Sequence, residues 1–472
     1  MPPDPKQELL RQLPSITDLL KCERVEGWLS RHPSPLVTGC LRRSVTRVRE
    51  QIQAGRCGCA SGDAATGAIL DHAESLLRHA VQPRISEAVN ATGIILHTGL
   101  GRAVFPGVVV DSVIGELKGF CTLAVDRESG ERAERDELIE DLLTELTGAE
   151  AATVVNNNAA ATMLVLAALA ASREVIVSRG QLVEIGGSFR LPEVMAQSGA
   201  RLVEVGATNR THLKDYQKAF TENTAAILRA HPSNYRVIGF TSEVPLRDLA
   251  DLAHARGAIL IDDLGAGALL PLEQFGLPHE PTVRESIEAG ADAVLFSGDK
   301  LIGAAQCGII AGKKALIDRL RKHPLMRALR VDKTCLMVLE RTLHLFRDPE
   351  RLRRKHPTYR MVCTPADVLK SRADELARQI QAATPQAAVE ISPSDSYLGS
   401  GSLPTEAIPS FMVSVTLPGL SAADLARRLR MDDACVFSRI ESDRVRLDVR
   451  TLTDEQLPAI AAALRRIAEA AR

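Results

Sequence analysis

Between residues 150 and 312 the chain alternates short, continuously apolar runs with longer stretches of helical period. The runs at 152–155, 174–178, 202–205, 225–230, 258–263, 293–296 and 307–311 each fit a strand buried on both faces. Helical segments such as 159–171 and 246–256 lie between them. This alternation predicts an α/β fold with a mostly parallel sheet covered on both sides, in which ligands bind at the carboxyl ends of strands.

The flanks read differently. Residues 1–82 form a helical piece in which Pro14 ends one short helix and Ser15 or Thr17 caps the next, carrying Leu19 and Leu20. Residues 41–49 mix apolar and basic positions as an amphipathic helix does. Its Arg42, Arg43, Arg47 and Arg49 suit phosphates, or equally a solvated face balanced by Glu23, Glu26 and Glu50. From about Pro357 a helix at 369–382, strand-like runs at 411–416 and 445–449, and a last helix at 454–470 predict a small α+β unit, with 400–405 as a polar turn. The expected division is 1–82 (helical), 83–345 (large α/β) and 346–472 (small α+β).

Composition narrows the class. A chain of 472 residues is too long for one small core. No window approaches ~18 consecutive apolar residues, which argues against a membrane span. The polar start at residues 1–8 lacks the apolar core of a signal peptide. Nine cysteines, an odd number scattered along the chain, fit a reducing compartment, and a cytoplasmic protein is expected. Cys57 and Cys59 have no further Cys or His near them at ligand spacing, so they read as loop residues, and no metal is expected. A net charge of −1 rules out a polycation; contact with nucleic acid would need a local patch.

The candidate chemistry centres on Lys300. It follows the strand at 293–296 through Ser297-Gly298-Asp299, and a lysine in so tight and apolar a setting suits a nucleophile able to form a Schiff base. The turn at Asn156-Asn157-Asn158 leads a strand into an Ala-rich helix, so free N–H groups there would face an anion, most simply a phosphate. Asp262 and Asp263 leave the sheet at another strand end, where one could hold a protonated ring nitrogen or cap the glycine turn. Residues 89–102 form a glycine-rich ordered loop ending in Arg102, a candidate anion clamp. Arg327 and Arg330, three apart, would share a helix face and bind a small dianion.

Taken in order, several of these segments resemble bacterial L-seryl-tRNA(Sec) selenium transferases. They are Leu-Pro-Ser-Ile at 13–16, residues 90–102, 178–190, Ser297-Gly-Asp-Lys300, 323–333 and 401–405. The resemblance implies an aminotransferase-like (fold type I) enzyme that uses pyridoxal 5'-phosphate. By it, Lys300 holds the cofactor covalently, and Ser297 with the turn at Asn157, Asn158 and Ala159 binds its phosphate. Asp263 is the partner of the ring nitrogen, with Asp262 second because strand alternation sends only one of them inward. Arg102, Arg327 and Arg330 match positions that hold the selenium donor, selenophosphate. The amino-terminal piece corresponds to a domain gripping seryl-tRNA(Sec), and a large homo-oligomer built of dimers is implied. Gly303-Ala304-Ala305-Gln306-Cys307-Gly308 departs from the family's Gly-Gly-Pro-Gln-Ala-Gly, and without the proline a less rigid loop is expected.

The implied reaction is β-elimination of the serine hydroxyl followed by addition of selenium. Two other readings fit parts of the pattern. A lyase for a small amino acid or amino sugar phosphate would share the lysine, aspartate and phosphate turn but not need residues 1–82. A tRNA-binding or carrier protein with a vestigial site would not need Lys300, Asp263 and Arg102 intact.

Overall fold

The computed structural model describes residues 5–133, 135, 137–187 and 189–471; most of the polar start and Ser188 of the 178–190 segment lie outside them. The chain divides into two compact units, Met1–Glu87 and Ala88–Arg472.

In the first unit, Ser15 Oγ accepts a hydrogen bond from Asp18 N at 3.2 Å and starts the helix Ile16–Leu20; Thr17 lies inside that helix. The long helix Ser34–Gln53 buries Val37, Leu41, Val45, Val48 and Ile52 at helical spacing against Gly62–Val81. Arg42, Arg43, Arg47 and Arg49 all stay exposed on its outer side. Arg47 Nη1 reaches His72 Nε2 at 2.8 Å.

The second unit begins with β1 (Val89–Ala91), so the glycine-rich segment opens as a strand. It continues through β2 (Ala151–Val155), β3 (Glu174–Ser178), the short ribbon β4 (Glu184–Ile185) and β5 (Phe189–Arg190), then β6 (Arg201–Val205) and β7 (Thr224–Ala230). After them come β8 (Ile259–Gly265), β9 (Ala293–Ser297) and β10 (Gly308–Gly312). The large sheet runs β2-β10-β9-β8-β7-β3-β6 and is parallel except for β10, which pairs antiparallel with both neighbours. Strands β2, β9 and β10 are buried throughout, because helices cover both faces; this is why their sequences read as unbroken apolar runs.

A smaller sheet follows the order β1-β13-β14-β12-β11, from β11 (Ala388–Gly399), β12 (Ser402–Thr416), β13 (Val436–Glu441) and β14 (Arg444–Asp448). It is antiparallel apart from β1, which runs parallel to β13 with Val89 opposite Val436. The expected turn at 400–405 shrinks to Ser400-Gly401, since the residues from Ser402 on already belong to β12. Among the described residues no helix is long and apolar enough to cross a membrane.

Candidate active site

Strand β9 delivers Lys300 to the carboxyl side of the large sheet, and the loop behind it is tightly held. A Cβ on Gly298 would stand 2.3 Å from Cys307 Sγ, so the two strands close up only around glycine. Gly298 N donates to Cys307 O at 2.9 Å, Ala304 N to Gly298 O at 2.8 Å and Gly303 N to Lys300 O at 3.0 Å. Gly303 has φ +70°, and a Cβ there would fall 2.1 Å from His356 Nε2. That nitrogen lies 2.9 Å from Ile302 O and must donate to it, which leaves Nδ1 bare. Burial holds the His356 imidazole down at about 4, so it is neutral. These bonds pin the loop without the proline.

The Lys300 side chain is buried. Burial lowers its amine's pKa, the nearby Arg102 guanidinium lowers it further, and Asp263 and Asp299 oppose both. Its Nζ lies 3.8 Å from where a Cβ would stand on Gly265, whose φ is +67°. Asp263 accepts hydrogen bonds from Asn158 Nδ2 at 2.7 Å, Thr162 Oγ1 at 3.0 Å and Gly265 N at 3.1 Å. Burial pushes the Asp263 carboxyl up, against the pull of those donors and of Lys300. Its neighbour Asp262 faces the other side of the sheet and meets Arg229 at 2.9 Å and Ser286 Oγ at 2.7 Å.

The helix Asn158–Ala170 points its amino end at the same space. Asn157 Oδ1 caps it by accepting from Ala160 N at 2.8 Å, leaving the first-turn N–H groups of Asn158 and Ala159 for an anion. Asn156 takes no part: its side chain is exposed and its N–H bonds to Leu329 O at 3.0 Å. Lys300, Asp263, Ser297, Asn157, Asn158, Ala159 and Arg102 all line one pocket of about 350 Å³, with Val183, Phe189 and Leu191 giving it an apolar wall. An amine, a carboxylate and a helix end around an apolar slot fit a flat, phosphorylated aromatic aldehyde. The buried Asn158 Oδ1, without a partner, adds a free acceptor.

The three arginines do not converge within this chain. Arg102, in a left-handed conformation at φ +65°, pairs through Nη1 with Asp299 Oδ2 at 2.7 Å at the pocket rim. Arg327 and Arg330 line another cavity, of about 260 Å³, with Arg135 and His323. Nor do they share a helix face: the helix Pro324–Ala328 stops at Leu329, and Arg330 forms an antiparallel bridge with Val155. Sequence reasoning missed His231 and Ser233 in the pocket and Asp299 as the partner of Arg102. The first two follow the carboxyl end of β7, where the apolar run stops at Ala230.

The family described as L-seryl-tRNA selenium transferase matches residues 88–453, and that described as selenocysteine synthase N terminal matches residues 10–49. The chain belongs to the L-seryl-tRNA selenium transferase family. It is 42% identical over 462 residues to the L-seryl-tRNA(Sec) selenium transferase of Geobacter sulfurreducens, covering 98% of this chain and 99% of that one. Identity to the Caldanaerobacter subterraneus enzyme of the same name is 43% over 461 residues, with 98% and 99% covered. Among solved structures, D-glucosaminate-6-phosphate ammonia-lyase superposes with a TM-score of 0.55 at 23% identity, covering 82% of this chain and 96% of that one. The shared architecture is the fold of type I pyridoxal phosphate enzymes. In the family frame, the pocket falls inside the longer match and the four exposed arginines of Ser34–Gln53 fall inside the shorter one.

Proposed function

We propose that this chain converts seryl-tRNA(Sec) to selenocysteinyl-tRNA(Sec) in the cytoplasm, with pyridoxal phosphate in the Lys300 pocket and selenophosphate as selenium donor. The observation that carries the reading is the buried Lys300 amine sharing one pocket with Asp263 and the capped helix end, in a chain of this family. Lys300, Ser297, Asn157, Asn158, Ala159 and Asp263 would hold the cofactor. When bound, it supplies a sink for negative charge at the serine α-carbon.

The chain's own groups divide the remaining work. Lys300 Nζ, whose pKa is lowered by burial and by the nearby Arg102, takes the α-proton. Asp263, fixed by three donors, would face the ring nitrogen of the bound cofactor and favour its protonated form. Val183, Phe189 and Leu191 exclude water from the slot. Arg102, Arg327 and Arg330 hold the donor's anion, for which a planar, permanently charged fork is suited. The cavity of Arg327 and Arg330 shares no lining residue with the Lys300 pocket, so within one chain they do not reach it; in a homo-oligomer of dimers, as the resemblance implies, a second copy would bring them to the site. Arg42, Arg43, Arg47 and Arg49 are offered for the tRNA backbone.

The test is Lys300→Ala, assayed by cofactor absorbance and by transfer of selenium to seryl-tRNA(Sec). Both should vanish, and a variant that kept either would sink the assignment.

A further inference from the structure

A second cavity, of about 520 Å³, opens on the same carboxyl side of the large sheet, beyond β7 and β3. His231 lines both it and the Lys300 pocket, so the two spaces adjoin. Nothing in the mechanism above uses it, yet its wall carries buried polar groups left without partners. Gln181, 6% exposed, has no hydrogen-bond partner for Oε1, and His231 has none for Nδ1. Glu280, 5% exposed, brings Oε1 to 4.0 Å from that nitrogen, too far for a hydrogen bond. Buried acceptors without partners are costly and point to a ligand that supplies donors.

The charge balance excludes a phosphate site. Arg236 Nη1 is committed to Glu406 at 2.9 Å, and Arg210 Nε donates to Phe240 O at 3.1 Å. With Glu243 and Glu280 also on the wall, no positive charge is in excess. Burial lifts the Glu280 carboxyl to about 7 and holds His231 at about 4, so these two present a carboxyl and a neutral ring. Pro232, Pro278 and Tyr235, whose hydroxyl bonds to Gly180 O, add apolar wall. A neutral, hydroxyl-rich ligand with a flat apolar part suits this combination, and carboxylates commonly take ribose hydroxyls.

We propose that this cavity is the subsite for the terminal adenosine of the aminoacyl-tRNA. Its ribose hydroxyls donate to Gln181 Oε1 and Glu280, and its base lies against Tyr235 and the two prolines. The proposal rests on the seryl-tRNA reading: an ester joins the seryl carbonyl directly to that ribose, so the nucleoside must occupy space next to Lys300.

The test is saturation-transfer NMR on the full-length, cofactor-loaded protein with adenosine as probe. Adenosine should bind, and Gln181→Leu and Glu280→Ala should each weaken it about tenfold, with melting curves and cofactor absorbance showing that the variants fold. Absence of transfer, or wild-type affinity in both variants, overturns the subsite. Displacement of adenosine by inorganic phosphate would make the cavity an anion site and overturn it as well. The response of the cofactor band to serine methyl ester is read separately: its loss counts against the Lys300 reading and not against adenosine binding.

Discussion

The Lys300 pocket and the cavity of Arg327 and Arg330 hold their charges in opposite ways. In the pocket, Lys300 and Asp263 are buried, and Asp263 is fixed by three hydrogen bonds within a loop and helix end that cannot shift independently. In the cavity, Arg327 is exposed and Arg330 half-buried, and neither guanidinium pairs with a carboxylate among the described residues. The first arrangement suits a group that stays; the second suits an anion that arrives and leaves. Preorganisation is concentrated where charge is held in a buried space, and free cations are left at the cavity proposed for the donor anion.

Lys300→Ala breaks the comparison most completely, since it removes the group proposed to bond the cofactor covalently and should abolish turnover. Acid attacks the same region through His356. Its folded pKa of about 4 lies below the ordinary 6.5, so the unfolded chain takes up the proton first. Its contribution to stability is therefore full above 6.5 and falls, by on the order of 3 kcal/mol, as the pH drops from 6.5 towards 4. Thermal melting across that range should lose part of its pH slope in His356→Gln. Asp263→Asn keeps the shape and removes the charge; turnover should fall about a hundredfold, with the cofactor still bound. Arg330→Ala probes the other side. Selenium transfer should drop about thirtyfold while the cofactor band is unchanged, and undiminished use of selenophosphate would remove Arg330 from the anion site.

The two regions also differed in how well the sequence announced them. The polar part of the pocket was legible because it stands at or near the carboxyl ends of short, largely buried strands, where an apolar run gives way to Ser297, Asp263 or Asn156. The cavity was misread as one helix face, because nothing local to residues 323–333 reveals that the helix stops at Leu329 and that Arg330 bridges to Val155. In the small sheet the strands at 411–416 and 445–449 were legible, while others were missed for a related reason. β1 pairs with a strand from the far end of the chain, and β11, half-exposed and rich in serine, carries no clear apolar period. The resemblance supplied roles for residues that composition alone left open, but not the partner of Arg102, although Asp299 stands beside Lys300 in the chain.

The backbone bridge between Val155 and Arg330, with Asn156 N bonded to Leu329 O, ties the turn that leads into the helix Asn158–Ala170 directly to the arginine segment. Whatever free energy this link carries must be mutual. If filling the Lys300 pocket tightens the hold on the donor anion by some factor, then bound anion tightens the hold on the cofactor by that same factor. Under such a coupling, retention of the permanent occupant would depend on the supply of the transient one.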